Sequence, residues 1–483
     1  MNAPIRRMST VVAFLFATLL ISTTWIQFGE AKSLNARDDN RRTLLATYAR
    51  ERGQILVGDT AIAVSKPVDS EFKYLRTYPS GALYADLTGY YSFYGAGGGL
   101  ESTENPLLSG SSDKLFYRRV SDLFTGRRPQ GASLLLTINA KAQEAASSAL
   151  GDQRGAAVAL NPKTGEILAL VTKPTYDPNP LASHDLNAVD TAYKTLNADP
   201  ARPMVNRAIA GNLYPPGSTF KVITAAAALS SGKWTPSSQV PGPAVLTLPQ
   251  TTVGLPNSGG RSCGANDQVT VQDALRMSCN TAFGWLGLQL GGDALREQAV
   301  KFGFGDQVSI PMKVTPSSVP AQLNPPQTAQ SAVGQYDVRV TPMQMAMVAA
   351  GIANKGVVME PYLVRSVLAS DLSTVETASP TVHSTAVTPE VAAQLTAMME
   401  SVVTDGTGTA AQMSGVQVAG KTGTAQHAPG AAPHAWFISF APANDPTVAV
   451  AVVVEEGGNA GDQASGGRTA APIAKAIMQA VLQ

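Results

Sequence analysis

The chain has 483 residues, of which 44% are hydrophobic and 15% charged, and its formal net charge is +1. This length allows two or three domains with a large core, and the near-neutral charge argues against nucleic acid as a partner. Glycine and proline are spread along the chain rather than concentrated, so extended disorder is not indicated.

An uncharged apolar segment lies close to the N-terminus, over residues 8–29. About 20 apolar residues span a bilayer, so we expect an uncleaved transmembrane anchor at 9–28 behind a cytoplasmic tail at 1–8. Trp25 suits a membrane interface, whereas the basic residues that follow the segment leave its orientation open. A cleaved signal peptide is the alternative, because Gly29-Glu30-Ala31 loosely resembles a cleavage site.

Residues 29–132 are predicted to form a separate N-terminal module with short strands, opened by a helix over 38–51. This module contains no histidine. It also shows no nucleophile beside a base, so we expect it to act as a scaffold or interaction module.

From residue 133 onward, the pattern predicts an α+β domain that runs to residue 483. Two apolar runs joined by a turn at 161–165 predict a β-hairpin, and a long loop is expected over 172–206. Helices are predicted from residue 218 and over 140–150, 341–354, 389–404 and 472–482, and strands over 133–139, 417–425, 435–441 and 447–455. This order indicates an antiparallel sheet backed by helices.

A candidate nucleophile opens the helix predicted from residue 218. The Pro-Pro-Gly run at 215–217 ends any earlier helix, and the alanine-rich run that follows favours a new, buried one. The Ser218 hydroxyl and the Lys221 amine are three residues apart and therefore share one face. A helix N-terminus favours developing negative charge, and a lysine shielded from water loses its proton more easily. Ser218 is a candidate nucleophile and Lys221 its base, with an N-cap serine beside a solvated lysine as the alternative.

A match to the phosphate-binding loop pattern occurs at residues 415–422, Gly-Val-Gln-Val-Ala-Gly-Lys-Thr. Such a loop needs a strand before its first glycine and a helix after its lysine. Here 408–414 is not an apolar strand, and glycine and proline follow the lysine, so nucleotide binding is not expected. Lys421, Thr422 and Gly423 are instead interpreted as a strand edge beside the candidate serine.

Three motifs follow one another in a fixed order: Ser218-x-x-Lys221, Ser278-x-Asn280 and Lys421-Thr422-Gly423. This set is typical of serine β-lactamases and penicillin-binding proteins. Over about 133–483 the sequence resembles the serine penicillin-binding transpeptidases. The anchor and the smaller module, with Arg52-Gly53 and Gly99-Leu100-Glu101, resemble a class B enzyme of the actinobacterial penicillin-binding protein A group. Tyr336 departs from the glycine that many relatives have there, which puts the shape of that loop in doubt.

The resemblance implies a penicillin-binding, serine β-lactamase-like fold and a peptidoglycan D,D-transpeptidase that works through an acyl-serine. The substrate would be the D-Ala-D-Ala end of a stem peptide. The resemblance implies that Ser218 is the nucleophile and Lys221 its base, while Ser278 relays a proton and Asn280 binds the amide of the stem. Substrate binding, to the carboxylate or along the strand edge, is implied for Lys421, Thr422, Gly423 and Thr424. The backbone N–H groups of Ser218 and Thr424 would form the oxyanion hole.

The same resemblance implies acylation by β-lactams, a single-pass membrane location with an extracytoplasmic catalytic domain, and a role in cell division beside divisome or elongation proteins. No metal or other cofactor is expected. The alternatives are a D,D-carboxypeptidase or β-lactamase of the same superfamily, and a non-catalytic divisome scaffold or β-lactam sensor. A Ser-His-Asp triad is not expected, because none of the four histidines lies in a triad motif.

The chain has two cysteines, Cys263 and Cys279, with no histidine between them. They make a poor metal site and suggest a disulfide that ties down the loop carrying Ser278 and Asn280. Such a bridge would place this face of the protein outside the cytoplasm. Two buried free thiols are the alternative.

Overall fold

The architecture is taken from a computed structural model that describes residues 3–35, 45, 48–116, 124, 126, 130–211 and 213–483. The helix predicted over 38–51 lies largely outside these residues.

An apolar helix near the N-terminus stands apart from the rest of the protein. Helix α1 (Ala3–Thr24) continues into a π-helical turn at Trp25–Gly29, and none of its residues is buried. Together these 27 residues include an 18-residue window with a mean hydropathy of 1.9. At 1.5 Å per residue the helix is about 40 Å long, enough to cross a hydrocarbon core of about 30 Å. By length and composition the helix therefore suits the predicted anchor.

The N-terminal module consists of short helices and strands. Its helices are α2 (Ala31–Asn35), α3 (Ala85–Thr88), α4 (Gly99–Thr103) and α5 (Asn105–Leu108), and its strands are β1 (Ile55–Val57), β2 (Thr60–Pro67), β3 (Tyr74–Thr77), β4 (Tyr90–Ser92) and β5 (Gly95–Gly97).

A buried ion cluster joins the Arg52-Gly53 and Gly99-Leu100-Glu101 motifs of this module. The Glu101 carboxylate accepts hydrogen bonds from Arg52 Nε and Arg76 Nε, each at 2.6 Å, and from the Tyr78 hydroxyl at 3.2 Å. Burial alone would raise the pKa of Glu101, but the two guanidinium groups hold it below its usual value. Gly53 is required beside Arg52, because a Cβ there would lie 1.9 Å from the Ala132 carbonyl oxygen.

The remaining residues form the larger part of the molecule. Its helices are α6 (Ala140–Leu150), α7 (Leu186–Ala198), α8 (Lys221–Ser230), α9 (Val271–Arg276), α10 (Asn280–Leu290), α11 (Gly292–Lys301), α12 (Pro325–Ala332), α13 (Pro342–Ala353), α14 (Pro389–Asp405) and α15 (Ala471–Leu482). Its strands are β6 (Ser133–Leu136), β7 (Gly155–Leu160), β8 (Ile167–Lys173), β9 (Gln239–Pro241), β10 (Val245–Thr247), β11 (Gly254–Pro256), β12 (Gln268–Thr270), β13 (Val357–Met359), β14 (Val364–Leu368), β15 (Thr374–Thr377), β16 (Val382–Thr385), β17 (Ala419–Ala425), β18 (His434–Ala441) and β19 (Val448–Val454).

A five-stranded sheet in the order β17-β18-β19-β7-β8 forms the centre of this part, and every neighbouring pair is antiparallel. Both faces are covered, which explains why β19 is apolar throughout instead of alternating. Ala449, Ala451 and Val453 point into a core that includes α8 and α13, while Val450 and Val452 face α6 and α15. The predicted antiparallel sheet backed by helices is confirmed.

A second, six-stranded sheet in the order β15-β14-β6-β1-β2-β3 joins the two parts of the chain. Strand β6 pairs in parallel with β1 and antiparallel with β14. The strand predicted over 133–139 therefore exists, although it ends at Leu136, and it belongs to this junction sheet rather than to the five-stranded one.

The loop predicted over 172–206 is partly wrong, because it contains α7. Asp185 caps this helix, since its carboxylate accepts hydrogen bonds from the backbone N–H groups of Asn187 and Ala188. Val189 is its buried residue. The sequence does carry an apolar stripe at helical spacing, formed by Leu186, Val189, Tyr193 and Leu196, and the prediction of a loop overlooked it.

Candidate active site

The candidate nucleophile lies on a 3₁₀ turn, Gly217–Phe220, that leads into α8. Gly217 has φ = +53°, and a Cβ on it would lie 2.7 Å from the Thr424 carbonyl oxygen, so glycine is required at this position. Its N–H donates to the Gly334 carbonyl at 2.9 Å. The turn that carries Ser218 is thus fixed between β17 and the Gly334 loop, and α8 is buried from Lys221 to Leu229, as predicted.

Lys221 is completely buried one turn after Ser218. Its Nζ donates to the Ser278 carbonyl and to Asn280 Oδ1, each at 2.7 Å, and lies 3.4 Å from Ser278 Oγ. Among the residues that the structure describes, no carboxylate pairs with it. Burial lowers the pKa of Lys221 well below its usual value, and the positive charge of Lys421 lowers it further. A lysine in this state can act as a base near neutral pH.

Lys421 approaches Ser278 from β17, which is the edge strand of the five-stranded sheet. Its Nζ donates to Ser278 Oγ and to the Thr422 carbonyl, each at 2.9 Å. Burial lowers the pKa of Lys421 to about 7. Ser278 Oγ therefore lies between two buried amines. Lys421 itself lies within a strand, whereas the lysine of a phosphate-binding loop opens a helix, so the expectation that this segment binds no nucleotide agrees with the structure.

The segment of Ser278 and Asn280 connects α9 to α10. Ser278 has φ = +64°, a conformation that non-glycine residues rarely adopt and that often marks a functional site. Cys279, between the two, is buried and forms a disulfide with Cys263. The predicted disulfide is confirmed, and it fixes this strained segment next to Lys221.

The end of β17 provides the remaining predicted residues. A Cβ on Gly423 would lie 2.9 Å from both the Pro216 carbonyl oxygen and Thr219 Cγ2, so glycine allows this strand to pack against the Ser218 turn. Thr422 is buried and Thr424 is exposed. Lys221 and Lys421 both contact Ser278, so the structure brings residues of all three motifs together.

Thr407 is a member of the site that the sequence reasoning missed. Its hydroxyl lies 2.6 Å from that of Thr422, so it orients the hydroxyl of a residue predicted to bind the substrate carboxylate. Thr407 follows α14 in a glycine-flanked turn, and no local pattern indicates a partner 15 residues away.

A family model for the penicillin-binding protein transpeptidase domain matches residues 155–479. The chain belongs to this family. A second model, for the penicillin-binding protein A dimerisation domain, matches residues 52–134.

Full-length relatives support the same assignment. The chain is 45% identical to the peptidoglycan D,D-transpeptidase PbpA of Mycolicibacterium smegmatis, with 100% of this chain and 99% of the relative covered. It is similar to the ceftriaxone acyl-enzyme complex of penicillin-binding protein A from Mycobacterium tuberculosis, at 44% identity and a TM-score of 0.87, covering 91% of this chain and 100% of that one. The penicillin G acyl-enzyme complex of the same protein gives a TM-score of 0.85, with 90% and 100% covered. The predicted family resemblance is confirmed.

The two histidines that follow β17 in this transpeptidase domain pack against each other. The rings of His427 and His434 stack with centroids 4.0 Å apart, and His434 Nδ1 accepts a hydrogen bond from the Glu456 N–H. Burial lowers the pKa of His434 to about 4, and the neighbouring His427 adds to the effect. A neutral, stacked imidazole at His434 is consistent with a packing role.

The charge of Lys421 makes the pH dependence of acylation testable. In the predicted mechanism, attack by Ser218 needs neutral Lys221, so we expect the acylation rate to fall as the pH falls through the pKa of Lys221. Replacing Lys421 by methionine removes a positive charge that lowers this pKa. We therefore expect the pKa of Lys221 to rise, and the acid limb of the profile to move to higher pH in Lys421→Met. The measurement is the second-order rate constant of penicillin acylation against pH.

The control for this experiment is Lys163→Met, at an exposed lysine that pairs with Asp445. Its profile should match that of the wild type. An acid limb that stays in place or moves to lower pH in Lys421→Met would contradict the predicted coupling between the two lysines.

Proposed function

We propose that the chain is a serine D,D-transpeptidase that cross-links peptidoglycan stem peptides and is acylated by β-lactams at Ser218. The observation that carries this proposal is the buried amine of Lys221, one turn from Ser218 and bonded to the segment of Ser278 and Asn280. The names of the full-length relatives and their β-lactam acyl-enzyme structures support it.

In the proposed first step, neutral Lys221 takes the proton of the Ser218 hydroxyl while Oγ attacks the carbonyl carbon of the penultimate D-Ala. The backbone N–H groups of Ser218 and Thr424 would stabilise the oxyanion. The close packing of the Ser218 turn on the end of β17, where Gly217 approaches the Thr424 carbonyl, supports this pairing.

The leaving D-Ala amine needs a proton when the peptide C–N bond breaks. Ser278 Oγ lies within 3.4 Å of Lys221 Nζ and 2.9 Å of Lys421 Nζ, which suits a relay of the proton from Lys221 to that amine. Lys421, Thr422 and Thr424 would bind the terminal carboxylate. Pro216, Thr219 and Trp436 fill the space beside Gly423, so this glycine serves the packing of the strand rather than the approach of the substrate.

The acyl group is then transferred to an amine of a neighbouring stem. The amine nitrogen bonds to the ester carbon, the Ser218 Oγ bond to that carbon breaks, and the proton from nitrogen returns to Oγ through Lys221. A β-lactamase or carboxypeptidase would instead activate water. Glu166 does not serve that purpose, because it lies in the β7–β8 hairpin and binds Arg365 at 3.0 Å.

We infer that the catalytic domain lies outside the cytoplasm on a single-pass anchor and acts in septal wall synthesis, beside divisome proteins. The apolar helix and the disulfide support this location, because disulfides persist in oxidising compartments. We propose to divide the chain into a cytoplasmic tail at 1–8, a transmembrane anchor at 9–28, an N-terminal module at 29–132 and a transpeptidase domain at 133–483.

A complementation experiment and a β-lactam assay test the proposal together. Cells depleted of the protein should divide when supplied with the wild type and fail with Ser218→Ala, whereas a scaffold would support division in both cases. The purified protein should form a stable penicillin adduct and leave a chromogenic β-lactam largely intact. Rapid turnover of that β-lactam would favour a β-lactamase.

A further inference from the structure

Asn257 lies outside the three motifs, yet its side chain makes hydrogen bonds in three directions beside the active site. The side chain is buried, and its Oδ1 accepts from the Thr281 N–H at 3.0 Å. Its Nδ2 donates to the carbonyls of Pro243 and Arg261 at 2.8 and 2.9 Å. One amide therefore joins the segment before β10, the segment after β11 and the first turn of α10.

The neighbouring residue, Pro256, contacts the motif asparagine directly. Asn280 Nδ2 donates to the Pro256 carbonyl at 3.0 Å, while Asn280 Oδ1 accepts from Lys221 Nζ at 2.7 Å. The amide plane of Asn280 is thus fixed at both ends, and one Nδ2 hydrogen is left for a ligand. Its orientation depends on the position of the Pro256 carbonyl.

The β10–β11 hairpin that carries Pro256 forms a separate two-stranded sheet that lies on α10. Each strand has three residues, and Val245 and Val253 are exposed. Leu255 packs on α10, where a Cβ on Gly284 would lie 2.5 Å from its Cδ2. Leu246 also approaches Gly284, and Leu248 just after β10 is buried. Apolar contacts therefore hold the hairpin on α10, while the hydrogen bonds of Asn257 fix the backbone next to Pro256.

We propose that Asn257 is a positioning residue, which holds the Pro256 carbonyl so that Asn280 presents Oδ1 to Lys221 and one N–H to the substrate amide. This inference rests on the proposed function and assigns it a residue outside the three motifs. Asn257 touches neither the substrate nor the reacting atoms and acts only through Pro256 and Asn280.

The test is penicillin acylation of the full chain with Asn257→Ala. We expect the second-order rate constant to fall by about 10- to 100-fold, because small displacements of a positioning group have effects of this size. Asn280 Oδ1 accepts from Lys221 and so favours its charged form. Losing that acceptor should lower the pKa of Lys221 and move the acid limb of the rate profile to lower pH.

A double-mutant cycle with Asn280→Ala separates this role from a general loss of stability. If Asn257 acts through Asn280, the double variant should be acylated no more slowly than Asn280→Ala alone. Asn139→Ala is the matched control, because Asn139 is also an asparagine whose side chain accepts a helix N-terminal N–H, from Ala142 at 3.1 Å. This control should keep the wild-type acylation rate.

Additive effects in the cycle, or an unchanged rate and pH profile in Asn257→Ala, would overturn the inference. Where the alanine variant does not fold, Asn257→Asp carries the same expectation for the rate, since it keeps the acceptor for Thr281 and loses both donors. The shift of the acid limb to lower pH is expected of the alanine variant alone, because the added carboxylate favours charged Lys221. A wild-type protein that penicillin does not acylate would overturn the proposed function and this inference with it. Wild-type acylation with an unaffected variant overturns the inference alone.

Discussion

Replacing Ser218 by alanine is expected to abolish the covalent penicillin adduct. Removing a catalytic serine costs at least about 10⁴-fold in rate, because no other group replaces its oxygen nucleophile. The buried Lys221 amine and the Ser278 hydroxyl remain in Ser218→Ala, so the variant tests the assignment of the nucleophile rather than of the whole site. Intact mass of the protein with penicillin G, followed over time, measures the adduct directly.

The matched control is Ser231→Ala. Ser231 terminates the same helix, and its hydroxyl donates to the Ala228 carbonyl at 2.7 Å. This variant should gain one penicillin mass at the wild-type rate. A Ser218→Ala protein that still gains one penicillin, with the label mapped to another residue, would show that the nucleophile has been misassigned.

Replacing Lys221 by methionine should slow acylation by about 10²- to 10⁴-fold, the usual contribution of a general base. Methionine fills a similar volume but has no lone pair able to accept the Ser218 proton. Because Lys221 is fully buried and its cationic form is disfavoured there, the variant should remain folded. The measurements are the penicillin acylation rate and the near-UV circular dichroism spectrum.

Lys233→Met controls for the loss of a lysine from the same region. Lys233 is exposed just beyond the end of α8, and its replacement should leave the acylation rate unchanged. If folded Lys221→Met were acylated within tenfold of the wild-type rate, another group would have to be the base.

Much of the sheet and several helices follow from local sequence patterns. The predicted helix 140–150 coincides with α6, and the apolar runs of the hairpin coincide with β7 and β8. These elements have strong periodicity or turn residues, and both faces of the sheet are covered by helices. By contrast, α7 was missed although its apolar residues recur at helical spacing, because the polar residues around them and the surrounding prolines favoured a loop.

The site could be predicted in composition but not in geometry. The motif order indicated that Lys221, Ser278 and Lys421 meet, although 57 residues separate the first two and 143 separate the last two. Spacing along the chain does not show how closely two buried amines approach one hydroxyl, or that one lowers the pKa of the other. The contacts of Thr407 and Asn257 are likewise long-range hydrogen bonds, without a local sequence signal.

The most direct test of the central claim is the fate of the acyl group from a stem-like peptide ending in D-Ala-D-Ala. The peptide is incubated with the protein and an amine acceptor, and mass spectrometry measures released D-Ala, hydrolysed peptide and peptide joined to the acceptor. A transpeptidase gives the joined product as the main one, and Ser218→Ala gives none. Release of D-Ala with hydrolysis alone, or no release by the wild type, would contradict the account.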